Sequence, residues 1–212
     1  MAHGLFVVLE GPEGAGKTTL TASLAARMRE DGIDVVTVRE PGGTPVAEVL
    51  RAELLNGNRE WTAEAELLYM VTARADLVTR IIRPALEAGS VVLSDRYDLS
   101  TMAYQGAGRG LPRSEVAWVN AAATGGLVPD LTLVLDLDPA VGRQRQRSAG
   151  KGADRLERED VGFHDRVAAE YLAATGAGVH HLQADASPEH VLAEAWAHVI
   201  ALQPGTFRPR LA

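Results

Sequence analysis

Short hydrophobic runs alternate with longer stretches of helical period along this chain. The runs are rich in Val and Leu, carry few polar positions, and cover residues 5–9, 35–38, 91–93, 131–135 and, more weakly, 179–182. Continuous apolar runs of this length are typical of strands buried on both faces, as in a parallel sheet. Between and after them, a helical period is present in residues 19–30, 47–55, 63–87, 114–124, 140–147, 156–174 and 188–202.

This alternation predicts an α/β fold, a three-layer sandwich in which helices cover a central five-stranded parallel sheet. The 212 residues contain neither an internal repeat nor a long linker, so we expect a single domain, with a mobile tail at about residues 204–212. Ligands of such sheets bind beyond the carboxyl ends of the strands. The residues directly after each predicted strand are therefore the first candidates for a functional site.

Composition narrows the classes of function. The chain is 46% hydrophobic and 23% charged with a mean hydropathy of -0.03, which is typical of a soluble globular protein. Its net charge of -7 argues against general nucleic-acid binding, and its lack of cysteine excludes a disulfide scaffold, a thiol nucleophile and a Cys-ligated metal. Because the apolar run before Glu10 is short and has no basic leader, we expect a cytoplasmic protein without a membrane partner.

A phosphate-binding motif follows the first predicted strand. Residues 11–18 read GPEGAGKT and match GxxxxGK[ST] between a strand and a helix. Its glycines let the backbone form a nest of N–H donors, Lys17 can reach the β and γ phosphates of a nucleotide, and Thr18 can bind Mg²⁺. A glycine-rich turn without a ligand is the alternative. The predicted ATP-binding residues here are Gly11, Pro12, Glu13, Gly14, Ala15, Gly16, Lys17, Thr18 and Thr19.

The motif alone does not say which reaction is catalysed. A GTPase needs a guanine-reading Asn-Lys-x-Asp, but Lys17 and Lys151 are the two lysines of the chain and neither follows an Asn. A hydrolase must activate a water molecule, whereas a kinase must bind an acceptor. A second set of anion-binding groups would therefore indicate a kinase.

Such groups stand at the end of the third predicted strand. Asp95, beside the phosphate loop, is a candidate for binding Mg²⁺. The neighbouring Arg96 can donate two hydrogen bonds to one phosphate in a bidentate contact. Asp136 ends the fourth predicted strand and is a rival for the metal role. Either aspartate could instead simply cap its strand.

Residues 93–106, LSDRYDLSTMAYQG, resemble the signature of the thymidylate kinases, which phosphorylate dTMP with ATP. REPGGT at 39–44 and DRLE at 154–157 extend the resemblance, which covers residues 7 to about 185 in the family's order. It implies a P-loop fold of the nucleoside monophosphate kinase type, Mg²⁺ as cofactor, ATP and dTMP as substrates in the formation of dTTP, and a homodimer.

The resemblance also implies roles on the acceptor side. Arg96 and Arg51 match arginines that bind the acceptor phosphate, and Arg74 matches one that lies near the thymine base. From spacing alone, Arg51 and Arg74 are equally compatible with charges on a helix surface. The full implied dTMP-binding set is Glu13, Arg51, Met70, Arg74, Arg96, Thr101, Tyr104 and Gln105.

Thr101 and Gln105 fall where the family hydrogen-bonds the base, and Tyr104 falls where an aromatic ring disfavours ribose. Glu13 corresponds to an acid that faces the acceptor sugar and the metal. Met70 is a departure, because the family usually has a Phe there that stacks on thymine. A thioether can cover a base but offers no aromatic platform.

A cluster of positive charge lies in residues 142–158, which contain six Arg or Lys residues and only two acidic residues, Asp154 and Glu157. A local charge of +4 in an acidic protein predicts a lid that closes over ATP, neutralises the transferring phosphoryl group and excludes water. The resemblance implies that Arg143 packs on adenine. It also implies the bacterial type, in which the phosphate loop lacks an arginine and the lid supplies it; Arg155 is the candidate.

No general base is predicted, because a nucleoside monophosphate is largely dianionic near neutral pH, with a second pKa of about 6. The predicted catalytic residues are Lys17, Asp95, Arg96 and Arg155, and the predicted metal ligands are Thr18 and Asp95. Two other functions remain open. One is a related P-loop kinase acting on another nucleotide or a deoxynucleoside; the other is a nucleotide-dependent switch ATPase with a protein partner.

Overall fold

A computed structural model describes residues 4–56, 59–148 and 154–202. The tail predicted at 204–212 and the centre of the lid, including Lys151, lie outside the described residues. The strands are β1 (Phe6–Glu10), β2 (Val35–Arg39), β3 (Val91–Asp95), β4 (Leu131–Asp136) and β5 (Val179–Gln183). The α-helices are α1 (Lys17–Glu30), α2 (Pro45–Asn56), α3 (Ala63–Leu77), α4 (Arg83–Glu87), α5 (Asp98–Thr101), α6 (Arg113–Thr124), α7 (Pro139–Ser148), α8 (Val161–Leu172) and α9 (Pro188–Leu202). Two π-helical segments, π1 (Val78–Ile82) and π2 (Met102–Gly108), complete the order.

The five strands form one parallel sheet in the order β2-β3-β1-β4-β5. β1 is central, and its register pairs Leu9 with Asp95 on β3 and with Leu133 on β4. The loop after β1 and the residues that end β3 therefore meet at the same edge of the sheet. The predicted three-layer α/β fold with a five-stranded parallel sheet is confirmed.

Alternate residues of β1 enter different layers of the core. Val7 and Leu9 pack in the cluster that includes α1 and α9, whereas Phe6 and Val8 pack with residues of π1 and α4. This follows from the two-residue period of a strand, and it explains why the β1 run is apolar throughout. Within the described residues, no helix is both long and apolar enough to span a bilayer.

Two predicted helices differ from the structure. The segment 63–87 is interrupted by π1, because Pro84 has no N–H to donate to the carbonyl one turn earlier and the wider turn accommodates this. The segment 156–174 begins its helix only at Val161, where Asp160 caps the N-terminus by accepting from the Phe163 N–H at 2.8 Å. Residues 154–159 instead form turns, in which Asp154 and Glu157 each accept the other's backbone N–H at 2.9 Å.

Candidate active site

A cavity of about 530 Å³ opens at the carboxyl edge of the sheet, between the phosphate loop, the β2–α2 loop, α3 and the α5–π2 segment. It brings together residues that lie far apart in the sequence. The predicted site residues that line it are Glu13, Gly14, Gly16, Lys17, Thr18, Thr19, Arg51, Met70, Arg74, Asp95, Arg96, Thr101, Tyr104 and Gln105.

The phosphate loop has the backbone that its glycines permit. Gly14 (φ 74°) and Gly16 (φ 93°) lie in the left-handed region, and Gly16 caps α1. Lys17 is buried and donates to the carbonyls of Gly11 (2.9 Å) and Pro12 (2.8 Å). Burial, helped by the positive charge of Arg96, lowers the pKa of Lys17 to about 8.

Thr18 and Asp95 lie together at the mouth of the cavity, where the Thr18 hydroxyl donates to the Asp95 carboxylate at 2.6 Å. Two hard oxygen ligands beside the phosphate loop fit Mg²⁺, which takes few protein ligands and completes its shell with water and phosphate oxygens. Asp136, the rival, instead contacts His181 Nδ1 at 2.8 Å and does not line the cavity. Across the described ranges, no three His, Cys, Asp or Glu side chains are placed to hold a metal by themselves.

Arg96 lies at the corner between β3 and α5, with φ 77°. Its guanidinium donates to Glu13 at 2.5 Å and to the hydroxyls of Tyr171 (2.9 Å), Tyr104 (3.1 Å) and Ser100 (3.1 Å). A largely buried guanidinium with several N–H donors pointing in different directions can bind several oxygens of one phosphate.

Glu13 and Arg96 form an ion pair that links the phosphate loop to the corner after β3. Burial alone would raise the pKa of Glu13, but Arg96 and then Lys17 outweigh it and hold that pKa at about 2. Glu13 also accepts from the Tyr104 hydroxyl at 2.7 Å. Glu13 is therefore ionised at neutral pH, and a phosphate that binds Arg96 must compete with it.

Glu10, which the sequence analysis gave no role, lies fully buried beneath this corner. It accepts from the backbone N–H groups of Tyr97 (2.8 Å) and Ser100 (3.1 Å) and from the Ser100 hydroxyl (2.6 Å). Burial raises the pKa of Glu10 despite these bonds. Its position as the last residue of an otherwise apolar strand is the signal that could have identified it.

Arg74 occupies the far end of the cavity and is 3% exposed. It donates to Glu40 (2.6 Å), Thr101 (2.8 Å), the Tyr97 carbonyl (2.7 Å) and Asn120. Burial raises the pKa of Glu40 to about 7, even though Arg74 lowers it. Glu40 lies within the REPGGT motif, which gives no indication of this contact, and no local pattern indicates Asn120.

The remaining acceptor-side residues are placed by hydrogen bonds and packing. Arg51 donates to the Pro41 carbonyl at 2.7 Å, and the Gln105 amide donates to Glu66 at 2.8 Å. Met70 lines the cavity, whereas its neighbour Tyr69 packs edge-on against Trp61, with ring centroids 4.4 Å apart.

The structure does not place every predicted donor-side residue in the cavity. Arg155 donates to the Leu54 carbonyl (2.8 Å) and to Glu66 (2.6 Å), outside the cavity lining. Arg143 lines a small neighbouring cavity with Pro12. Gly11 and Ala15 do not line the large cavity either; Ala15 is 3% exposed and packs into the core.

Arg145, which the sequence analysis did not single out from its neighbours, does line the cavity. It donates to the carbonyls of Gly14 (3.3 Å) and Ala184 (3.1 Å). The evenly spaced arginines at 143, 145 and 147 give no local signal that separates one from another.

The first turns of α7 lie directly on the phosphate loop through two glycines. A Cβ at Gly142 would lie 2.2 Å from the Glu13 carbonyl oxygen, and a Cβ at Gly14 would lie 2.4 Å from the Gly142 carbonyl oxygen. Since real contacts are never this short, both positions exclude a side chain. The start of the predicted lid is thus fixed against the loop by close backbone contact.

Comparison with known proteins identifies close relatives. The family model for thymidylate kinase matches residues 9–195. The chain is 48% identical to the thymidylate kinase of Cereibacter sphaeroides, over 92% of this chain and 94% of that protein. It is 47% identical to the enzyme of Deinococcus radiodurans, over 94% and 98% of the two chains, and 47% identical to that of Ectopseudomonas mendocina, over 95% of each.

Proposed function

We propose that this chain, which belongs to the thymidylate kinase family, transfers the terminal phosphoryl group of ATP to dTMP and releases ADP and dTDP. The observation that carries the proposal is that the phosphate loop and the Arg96 corner face one another in a single cavity. Two anion-binding sets so close together suit transfer between two phosphates rather than hydrolysis.

On the donor side, we propose that residues 11–19 bind the phosphates of ATP through backbone N–H groups and the N-terminal end of α1. Lys17 exchanges the carbonyls of Gly11 and Pro12 for the β and γ phosphates, and Arg143 packs on adenine. Support comes from the left-handed glycines and from the loop's place between β1 and α1.

Thr18 and Asp95 are the residues that would hold Mg²⁺. When bound, the ion neutralises phosphate charge and orients the donor. The 2.6 Å contact between their oxygens supports this assignment.

On the acceptor side, Arg96 and Arg51 bind the phosphate of dTMP. Arg74, Thr101 and Gln105 face the base, and Met70 covers its ring. Tyr104 and Glu13 border the sugar. The supporting observation is that these side chains all line the same cavity.

Catalysis consists of alignment and charge neutralisation, since the acceptor phosphate is already a nucleophile. Lys17 and Arg96 hold the two phosphates, and residues 142–158 act as a lid. In this proposal Arg155 leaves Glu66 to contribute positive charge over the cavity, whereas Arg145 already lines it.

We further propose that the protein is a cytoplasmic homodimer. α3 and α6 pack together through Leu67, Val71 and Val116, and each helix also exposes a large apolar residue, Leu68 at 55% and Trp118 at 71%. Exposed apolar groups on adjacent helices favour a protein interface.

A coupled assay of ADP release tests the proposal across dTMP, dUMP, UMP, CMP, AMP and thymidine. We expect turnover that depends on the acceptor and is highest with dTMP. ATP turnover that is independent of any acceptor would instead support a switch ATPase. Highest turnover with another acceptor would support a different nucleotide or deoxynucleoside kinase.

A further inference from the structure

Glu66, in the first turn of α3, is a buried carboxylate that the proposed mechanism uses only as the resting partner of Arg155. Its Oε1 accepts from Gln105 Nε2 (2.8 Å) and Arg109 Nε (3.1 Å). Its Oε2 accepts from Arg109 Nη2 (2.9 Å) and Arg155 Nη2 (2.6 Å). A carboxylate offers about four acceptor positions, so the side chain is saturated.

Glu66 is ionised in this setting. Burial alone would raise its pKa, but the hydrogen bonds from Arg109, Gln105 and Arg155 outweigh burial and lower the pKa below its usual value. An ionised carboxylate can only accept hydrogen bonds. Whatever faces Glu66 must therefore be a donor.

This requirement fixes the amide of Gln105. Its nitrogen end must face Glu66, which leaves its carbonyl oxygen directed away from the carboxylate. Gln105 lines the cavity. Among residues 4–56, 59–148 and 154–202, no group donates a hydrogen bond to its side-chain oxygen Oε1. The reversed amide would bring this oxygen against a buried carboxylate, which is strongly unfavourable.

We propose that Glu66 is a specificity-determining positioning residue: by holding Gln105 in one orientation, it offers a hydrogen-bond acceptor to the base of the nucleotide substrate. This inference rests on the proposed function. An acceptor at this point pairs with a pyrimidine whose N3 carries hydrogen, as in thymine and uracil. Cytosine presents a lone pair at N3 and is rejected.

Replacing Glu66 with Gln tests this directly. The side chain keeps its shape, but its amide can donate to the Gln105 carbonyl, so the Gln105 amide is free to turn. We expect the ratio of kcat/KM for dTMP to that for dCMP to fall roughly tenfold or more, since a mispaired buried polar group is the source of the rejection.

Two features of the assay separate positioning from general damage. The ratio of dTMP to dUMP should stay unchanged in Glu66→Gln, because thymine and uracil share the same ring edge. Glu66→Gln also weakens the bond to Arg155, but an effect on the donor side lowers turnover with every acceptor and cancels in the ratios.

Arg109→Gln is the matched control, because it removes two bonds to Glu66 and leaves the Glu66–Gln105 contact in place. We expect lower thermal stability with unchanged ratios. Should Glu66→Gln fail to fold, the double variant Glu66→Gln/Arg109→Gln replaces the charged pair with two amides, and we expect the same loss of selectivity.

The outcomes distinguish the inference from the proposed function. A wild-type protein that does not phosphorylate dTMP overturns the proposed function itself. A wild-type protein that prefers dTMP over dCMP, combined with variants whose preference is unchanged, leaves the proposed function intact and overturns the role of Glu66.

Discussion

The unusual backbone conformation of Arg96 determines where its side chain points. Within the ranges that the structure describes, Arg96 is the only non-glycine residue with positive φ. That conformation costs about 1–3 kcal/mol and persists only where neighbouring groups impose it. Here the Glu10 carboxylate holds the next turn by accepting from Tyr97 and Ser100. The guanidinium is thereby directed at the phosphate loop.

Arg96→Lys should lower kcat/KM for dTMP by roughly 10²–10³-fold, because an ammonium cannot reproduce the planar fan of donors. The KM for ATP should change little. Steady-state kinetics with each substrate varied in turn would measure both effects. Arg113→Lys, at an exposed ion pair with Glu170, is the control and should leave both constants unchanged. Unaltered dTMP kinetics in Arg96→Lys would remove Arg96 from the acceptor site.

At the scale of single residues, sequence reasoning predicted the residues that belong to motifs. It missed residues whose importance comes from a hydrogen bond to a side chain far away in the sequence. Lys17, Thr18 and Arg96 were predicted because the motif itself carries the chemistry, and all three line the cavity. Glu66 and Asn120 were not, since their hydrogen bonds are to side chains 39 or more positions away, Gln105 and Arg74. For Arg155, the sequence indicated a positive charge in the predicted lid but not its bonds to Glu66 and Leu54.

Among the elements, the contact between α7 and the phosphate loop leads to a clear expectation. Gly142→Ala should push α7 away from the Glu13 carbonyl, because the added Cβ meets backbone rather than a flexible side chain. Overpacking of this kind costs about 1–3 kcal/mol. We expect a lower melting temperature and weaker ATP binding, measured by thermal unfolding and by calorimetry.

Gly162→Ala is the control within the neighbouring helix α8. There an added Cβ has only ordinary or slightly close contacts, with the side chains of Asp160 and Arg166. It should change the stability by less than about 1 kcal/mol, because the smaller loss of backbone entropy with alanine is set against a slight displacement of the Asp160 cap. Equal behaviour of the two variants would contradict the close contact between Gly142 and the loop.

His181 connects β5 to β4 and to the end of α8. Its two ring nitrogens contact only acceptors, the Asp136 carboxylate (2.8 Å) and the Ala174 carbonyl (2.8 Å). Burial alone would lower the pKa of His181, but these two acceptors outweigh it and raise the pKa above 6.5. Folding therefore favours the imidazolium form relative to the unfolded chain.

Because the folded pKa is raised, the contribution of His181 to stability is fully present below the unfolded pKa and is lost as the pH rises through the folded pKa. His181→Gln should lower the melting temperature more at about pH 6 than at about pH 9. Thermal scans of both proteins at the two pH values would measure this, with the exposed His190→Gln as control. The same loss at both pH values would contradict the prediction.

The elements themselves were largely predictable. Each predicted strand lies within one or two residues of the observed one, because strands buried on both faces leave unbroken apolar runs. The π segments were not predicted, since a single wide turn leaves the apolar period almost unchanged over a few residues. The late start of α8 was also missed, because the turn at 154–159 depends on bonds between Asp154 and Glu157 rather than on hydropathy.

At the scale of the whole molecule, the proposed homodimer predicts a change in molecular mass. Trp118→Glu should convert the dimer to a monomer, because it places a charge where a large apolar group would be buried. Sedimentation equilibrium would show the mass fall by half. Leu172→Glu changes an equally exposed residue, at 68%, on α8 and should leave the dimer intact. A monomeric wild-type protein would refute the proposal outright.

Glu66 also has a consequence for how variants of this protein combine. In the proposed site Gln105 faces the base and Arg155 belongs to the lid, yet both donate to the same carboxylate, Glu66. Changes at these two positions, which are far apart in sequence but share one partner, will show epistasis, so that the effect of a double variant differs from the sum of the single effects. Base preference and turnover therefore have to be optimised together when this protein is redesigned.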